Sequence, residues 1–293
     1  MTAIAAPPAQ VAAPRRRGRL LRRFASRPVA VAGLAGVIAV TVIAVFAPLI
    51  APQDPNASHY AQILQAPGSP GHLLGTDDLG RDLLSRLVYG SRVSLTAGVI
   101  ATLLALAVAV PIGMAAGYYR GWADPIVSRA TDVLLAFPFL IVAVGLAAIL
   151  GPSLLNETVA LAVGQVPGFI RIARGETLAA AEQEYVQAAV VNSAPGRAIL
   201  ARHILPNILS PLIVQATVAI PGAIIGAAIL SFLGLGVQPP SADWGVMLSE
   251  AQDYLGQAPW FAVFPGLAIA LTTLSFNLFG DGLRDMLDVR TQS

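Results

Sequence analysis

"EYVQAAVVNSAPGRAILARHILPN", residues 184–207, is the stretch on which the fold turns. It reads as two short amphipathic helical patterns around a Pro195-Gly196 turn, with Glu184, Arg197 and Arg202 placed for water. Long apolar runs flank it on both sides, in a chain of 293 residues that is 56% hydrophobic and only 12% charged. A water-soluble domain of that length could not cover such a composition with polar surface. The chain is therefore an integral membrane protein, and residues 184–207 are a soluble-looking excursion between two of its spans.

Working outward, apolar stretches long enough to cross a bilayer recur at 29–50, 93–117, 126–150, 154–170, 207–232 and 259–280, which predicts six spans. The first, read as a helix, would reach about 33 Å and is too long for the apolar region of a secretory signal, so it is expected to be a retained anchor. All eighteen basic residues are Arg. Seven of them (15, 16, 17, 19, 22, 23 and 27) precede the first span, and eight more fall near 118–125, 171–206 and the tail. Only Arg81, Arg86 and Arg92 fall on the other side, and this asymmetry predicts that both termini and the 184–207 stretch are cytoplasmic.

On the expected outer side, 233–258 has no Arg and carries Asp243, Glu250 and Asp253. The longer loop 51–92 contains "LGTDDLGRDLLSRLVYGSRVSL", residues 74–95. Thr76 or Asp77 is the expected N-cap of a short interfacial helix there. Leu79, Leu83, Leu84, Leu87 and Val88 would share its apolar face, with Asp78/Arg81 and Asp82/Arg86 as opposite-charge pairs along it.

Composition excludes much chemistry. There is no Cys, so thiol nucleophiles, thiolate metal sites and iron–sulfur clusters are ruled out. His59, His72 and His203 are too dispersed for a HExxH-type metal pair. "GTDDLGRD" has the GxxxxG spacing of a phosphate-binding loop, but Arg81 and Asp82 stand where Lys and Ser or Thr are required, and the chain has no Lys. Any ATP hydrolysis must belong to another polypeptide. Asp132, Arg129 and Glu157 lie near the ends of spans without a mid-depth partner, which weakens an intramembrane hydrolase or a proton-driven carrier. Gln165, Gln215, Thr217 and Asn277 read as interhelical hydrogen-bonding residues. The residues alone leave open a surface hairpin or a docking element at 184–207, and a stand-alone secondary transporter or one that needs partners.

The spacing Gln187-Ala188-Ala189, three residues, Ser193, nine residues, His203, one residue, Leu205-Pro206 resembles the EAA loop of ABC-importer permeases, which runs EAA, three residues, Gly, nine residues, Ile, one residue, Leu-Pro. Together with the 74–95 motif, in particular Gly75, Thr76, Asp77, Gly80, Arg81, Asp82, Ser85, Arg86, Gly90 and Arg92, the chain resembles the dipeptide, oligopeptide and nickel branch over about residues 70–285. The "C" member of its permease pair is the nearer likeness.

That resemblance implies an all-α membrane protein with the type I importer permease fold, six transmembrane helices and both termini cytoplasmic. The chain would divide into a basic arm 1–28, a first span 29–50, an extracytoplasmic loop 51–92 with its interfacial helix, a five-helix core 93–281 carrying the cytoplasmic loop 171–206, and a tail 282–293. Glu184, Tyr185, Gln187, Ala188, Ala189, Ser193, Pro195, Gly196, Arg202, His203, Leu205 and Pro206 would form the ATPase-coupling element. The implied partners are a homologous second permease, two cytoplasmic ABC ATPases that bind ATP and Mg, an extracytoplasmic substrate-binding protein and membrane lipid, with no nucleic acid, no metal and no cofactor in this chain. The implied location is the bacterial inner membrane, and the cargo class includes short peptides, nickel chelates and other small polar solutes. Ser193 departs from the turn Gly of the pattern; a residue with a Cβ pays for positive φ, so the departure points to a turn displaced to Gly196.

Overall fold

The computed structural model describes residues 24–288. Six of the seven leading arginines, Arg290 and the end of the tail lie outside the described residues. Among those described, every regular element is helical. Helix α1 spans Pro28–Val45, opening on a proline whose missing N–H costs nothing at a first turn, and bends into the short α2, Ala47–Ile50. Gly33 and Gly36 bring α1 against the last helix: a Cβ on Gly33 would lie 2.5 Å from Phe279 N.

Helix α3, Leu83–Tyr119, is one unbroken element of 37 residues, roughly 55 Å long and far longer than the roughly 30 Å hydrocarbon layer. This corrects the expected interfacial helix: Leu83 to Gly90 are the first turns of the spanning helix, and residues 76–82 are not helical. The cap is Asp82, not Thr76 or Asp77, and its carboxylate accepts from Ser85 N at 2.8 Å. Leu79 therefore lies outside the helix.

The stretch expected as a third span is broken. Helix α4, Ala123–Leu135, and α5, Phe139–Leu150, meet at 88° across Pro138, whose ring blocks continuation and holds the preceding residue extended. Helix α5 alone covers only about 18 Å, while α4 leaves Ile126 and Val133 more than half exposed. Helix α6, Leu154–Ala181, is capped by Ser153 and runs beyond the expected 154–170. Among the described residues, four helices are long and apolar enough to cross a membrane, and the bent pair makes a fifth if it is one span.

The centre of the bundle is a seam of small residues. Ala97, Ala101, Ala105 and Ala109 form one ridge of α3 against Ala143 and Ala147 of α5 and Ala160 of α6. Lower down, a Cβ on Gly113 would come 2.7 Å from Ile170 O and one on Gly117 2.8 Å from Arg174 O. Small side chains are what allow two such backbones to approach in a membrane. Thr102 Oγ1 reaches Gln165 Oε1 at 3.2 Å across this seam, the interhelical role expected of Gln165. Thr217, in contrast, bonds its own helix at Val214 O, 2.7 Å away.

Candidate functional site

Two clusters gather the residues singled out from the sequence, one at each end of α3. At the Tyr119 end, α6 stops at Ala181 and the chain turns at Glu182-Gln183, a break the Ala-rich pattern does not announce. Gln187 Nε2 donates to the free carbonyl of Ala181 at 2.8 Å, satisfying the end of α6. Helix α7, Glu184–Val191, follows, with Glu184 in its first turn, where the helix dipole favours a carboxylate. Val186 and Ala189 are buried in a cluster with Ala180, Ile199, Ile204 and Ile208. Glu184, Tyr185, Gln187, Ala188, Val190 and Val191 are left on the open face.

The turn after α7 is a Schellman closure. Ser193 N donates to Val190 O at 2.9 Å, Ala194 N to Ala189 O at 3.1 Å, and Ser193 has φ +56°. The expected displacement of the turn to Gly196 is corrected: Ser193 takes the left-handed position itself, and Gly196 is helical, opening α8, Gly196–Ala198, behind Pro195. Gly196 packs closely against the end of α3. A Cβ there would lie 2.8 Å from Tyr119 Oη and 3.2 Å from Tyr118 Cε1, at the end of α3.

A π-helical turn, Ile199–Ile204, leads without a break into α9, Leu205–Phe232, so no separate second helix ends at Pro206. Pro206 has no N–H for the Arg202 carbonyl, and the helix widens just before it. Asn207 Nδ2 covers the His203 carbonyl at 2.7 Å. Arg202 and Pro206 are exposed, and His203 and Leu205 half-buried. Two ion pairs brace this end: Arg120 Nη2 with Glu182 Oε1 at 2.6 Å, and Arg174 Nη2 with Asp124 Oδ2 at 2.8 Å.

At the Leu83 end, nine of the ten motif residues form one cluster of turns, close contacts and hydrogen bonds, from which Arg81, Arg86 and Gly90 reach helix α10, Trp244–Ala251. Gly75 and Gly80 have φ +82° and +73°, turns that favour glycine. Thr76 hydrogen-bonds Gln62 O and accepts from Gln65 N at 2.8 Å. Asp77 accepts from Leu79 N and Arg81 N and pairs with Arg81 Nε at 2.5 Å. Asp82 accepts from Ser85 Oγ at 2.8 Å and faces His72 Nδ1 at 3.0 Å.

Arg86 is not paired with Asp82, as the helical spacing suggested. Its Nη2 donates to Glu250 Oε2 at 3.0 Å, where Arg81 Nη2 arrives at the same distance, and its Nε lies 3.3 Å from Asp77 Oδ2. Asp82 faces the opposite way because it caps the helix. Burial works against the charge on Arg81, but Asp77 and Glu250 outweigh it and raise its pKa. Burial, with Asp77 and Glu250 nearby, raises Asp78. Gly90 passes the Trp244 indole, whose Nε1 donates to Leu87 O at 3.0 Å. Arg92, the tenth motif residue, stands apart from this network.

The sequence reading noted Glu250 as an outer acid but did not foresee it as the bridge, and His72 gave no signal as a partner of Asp82. It likewise missed a second buried group in which Asp243 caps α10 through Gly245 N and Val246 N, at 2.9 and 3.2 Å, and accepts from Ser94 Oγ at 3.0 Å. Glu157 lies near it through Ser231. Burial raises the Asp243 carboxyl above its ordinary value.

Helices long and apolar enough to cross a membrane, with an exposed helical hairpin at one end of α3 and an ion-paired clasp at the other, define a polytopic membrane protein. Residues 109–293 match the family described as "Binding-protein-dependent transport system inner membrane component", and residues 17–67 match "N-terminal TM domain of oligopeptide transport permease C". The chain belongs to this family of inner-membrane permease components, non-catalytic and multi-pass. It is 43% identical to the dipeptide transport system permease protein DppC of Alkalihalophilus pseudofirmus, over 93% of this chain and 89% of the relative. It is 45% identical to the glutathione transport system permease protein GsiD of Pectobacterium atrosepticum, over 93% and 90%. With the di/tripeptide transport system permease protein DppC of Pseudomonas aeruginosa it shares 42% identity, over 92% and 91%.

Proposed function

We propose that this chain is one of two different but homologous permease subunits of an ATP-driven importer of short peptides. It crosses the inner membrane six times, with the bent α4–α5 pair and α6 as the third and fourth crossings and both termini in the cytoplasm. The charge asymmetry of the arginines supports that orientation. Peptide cargo is supported by the names of the relatives, which are dipeptide, di/tripeptide and glutathione systems.

Coupling lies in α7 and the turn after it. The observation that carries this reading is the division of α7 into an anchored and an open face: Val186 and Ala189 are fixed in the protein, while Tyr185, Val190 and Val191 are 41%, 47% and 83% exposed in a polar hairpin. Apolar side chains presented on a water-facing tip mark a docking surface. Two cytoplasmic ATPases, which bind the ATP and Mg that this chain does not, seat the two permeases' hairpins; their closure turns the pathway toward an extracytoplasmic binding protein. The ion-paired clasp at the Leu83 end of α3 holds the outer loop to α10, so that α3 joins both surfaces as one rigid rod.

The test is to replace Ala188 with Trp or Glu184 with Arg in the assembled complex and measure peptide uptake and ATPase retention. Loss of both at normal membrane abundance is expected. Unchanged uptake and retention would refute the docking assignment.

A further inference from the structure

Among the three arginines at the Leu83 end of the molecule, Arg81 and Arg86 are buried in ion pairs, whereas Arg92 is exposed and its guanidinium makes no hydrogen bond or ion pair among the described residues. It stands where two openings meet. On one side is a groove of about 420 Å³ between α1, α3 and helix α11, Pro259–Asp288. On α3 it is lined by Arg92, Leu95, Thr96, Val99 and Ile100, the i, i+3, i+4, i+7, i+8 stripe of one helical face. Thr41, Ala44 and Val45 of α1 form the facing wall and Phe276 of α11 closes the floor. From Arg92 to Ile100 the groove runs about 12 Å along the helix.

Arg92 also lines a cavity of about 670 Å³ with a mixed polar and apolar wall, which includes Asp54, Gln53, Asn56, Tyr89 and Ser241 beside prolines and alanines. Asp54 accepts from Asn56 N at 2.8 Å and has no cationic partner among the described residues. One unpaired cation and one unpaired anion thus face the same cavity without pairing with each other, and an apolar channel leads away from the cation. A guanidinium at the edge of hydrocarbon suits a phosphodiester, and a carboxylate beside it suits a primary ammonium.

We propose that this site binds a phospholipid with an amine headgroup: the phosphate rests on Arg92, the ammonium on Asp54, and one acyl chain lies in the groove over Phe276. The placement in the outer leaflet rests on the topology proposed above; the binding itself does not. A zwitterionic peptide matches the two charges but leaves the apolar groove empty, and for that reason the lipid is favoured.

The test uses the full chain in its assembled complex, purified in detergent and freed of lipid, with bound molecules counted by native mass spectrometry. The probes are phosphatidylethanolamine, phosphatidylglycerol, a dipeptide and inorganic phosphate. Phosphatidylethanolamine is expected to bind about two- to fivefold more than phosphatidylglycerol, the range an exposed ion pair supplies. Asp54→Asn should erase that preference while keeping phospholipid, and Arg92→Gln should lose both lipids. Ile100→Trp, which fills the groove without touching either charge, should also lose them. Equal binding of the two lipids, or retention in Arg92→Gln, overturns the proposal. So does a dipeptide or inorganic phosphate that binds as well as lipid and is lost in Arg92→Gln. Since detergent exposes both ends of the chain, labelling Arg92→Cys in intact cells with an impermeant maleimide tests the topology separately.

Discussion

Arg86 Nη2 lies 3.0 Å from Glu250 Oε2, joining the first turn of α3 to α10 across 164 residues of sequence. Arg86 is fully buried and Glu250 is 17% exposed, so this contact belongs to the interior of the clasp. Removing one member of a buried pair leaves the other charges uncompensated. Arg86→Met is therefore expected to destabilise the chain by ~3 kcal/mol, read as a lower melting temperature in detergent. Glu250→Gln should cost less, because an amide oxygen still accepts from both guanidinium groups.

Ser193 holds φ +56° in the Schellman turn. Ser193→Gly is expected to stabilise the turn by ~1 kcal/mol, because glycine carries no Cβ penalty there. Gly196→Ala should do the opposite by pushing against Tyr119. Melting temperature and peptide-stimulated ATP turnover of the assembled complex would check both: a gain in stability from Gly196→Ala would contradict the packing described.

The division between what was legible in the residues and what was not follows from range. Composition set the membrane class and the 184–206 spacing located the hairpin, both legible without any long-range contact. The clasp was half visible. Gly75, Thr76, Asp77 and Arg81 were recognised together, but a helical spacing rule paired Arg86 with Asp82, and only the cap geometry shows Asp82 turned toward Ser85 and His72. Glu250 could not be assigned, since nothing local says that helix α10 will fold back on the start of α3. Pro138 was visible, yet the apolar run around it masked an 88° corner. Ser193 is visible as the anomaly of the turn, while the close neighbours of Gly196 are Tyr118 and Tyr119, at the end of a helix separated from it in the chain by four others.

Asp243 gives a pH dependence with a definite sign. Burial raises its carboxyl in the folded chain above its unfolded value, so the folded state holds this proton more tightly. Its contribution is fully favourable at pH below the unfolded carboxylate range and is lost as pH rises through the raised folded value. Asp243→Asn keeps an oxygen to cap Gly245 and Val246 and removes the titration. Its melting temperature should vary less between acid and neutral pH than that of the unaltered chain, and an unchanged slope would show that Asp243 is not the group responsible.

Gly113 and Gly117 set the separation of α3 and α6 near the hairpin. Gly117→Val is expected to cost ~2 kcal/mol by overpacking against Arg174 and Thr177, and to impair transport more than an equally destabilising change at the exposed Leu103. Equal impairment by the two would remove any special role for this contact.

The central claim is that α7 docks on a cytoplasmic ATPase, and the absence of native cysteine allows it to be tested at a single atom. Val191, 83% exposed at the tip, is replaced by Cys in the assembled transporter in intact cells and inside-out vesicles. Impermeant maleimide is expected to label it only from the cytoplasmic face, and bound ATPase should protect it and cross-link to it. Labelling from the outside, or labelling that the ATPase leaves unchanged with no cross-link, would contradict the account.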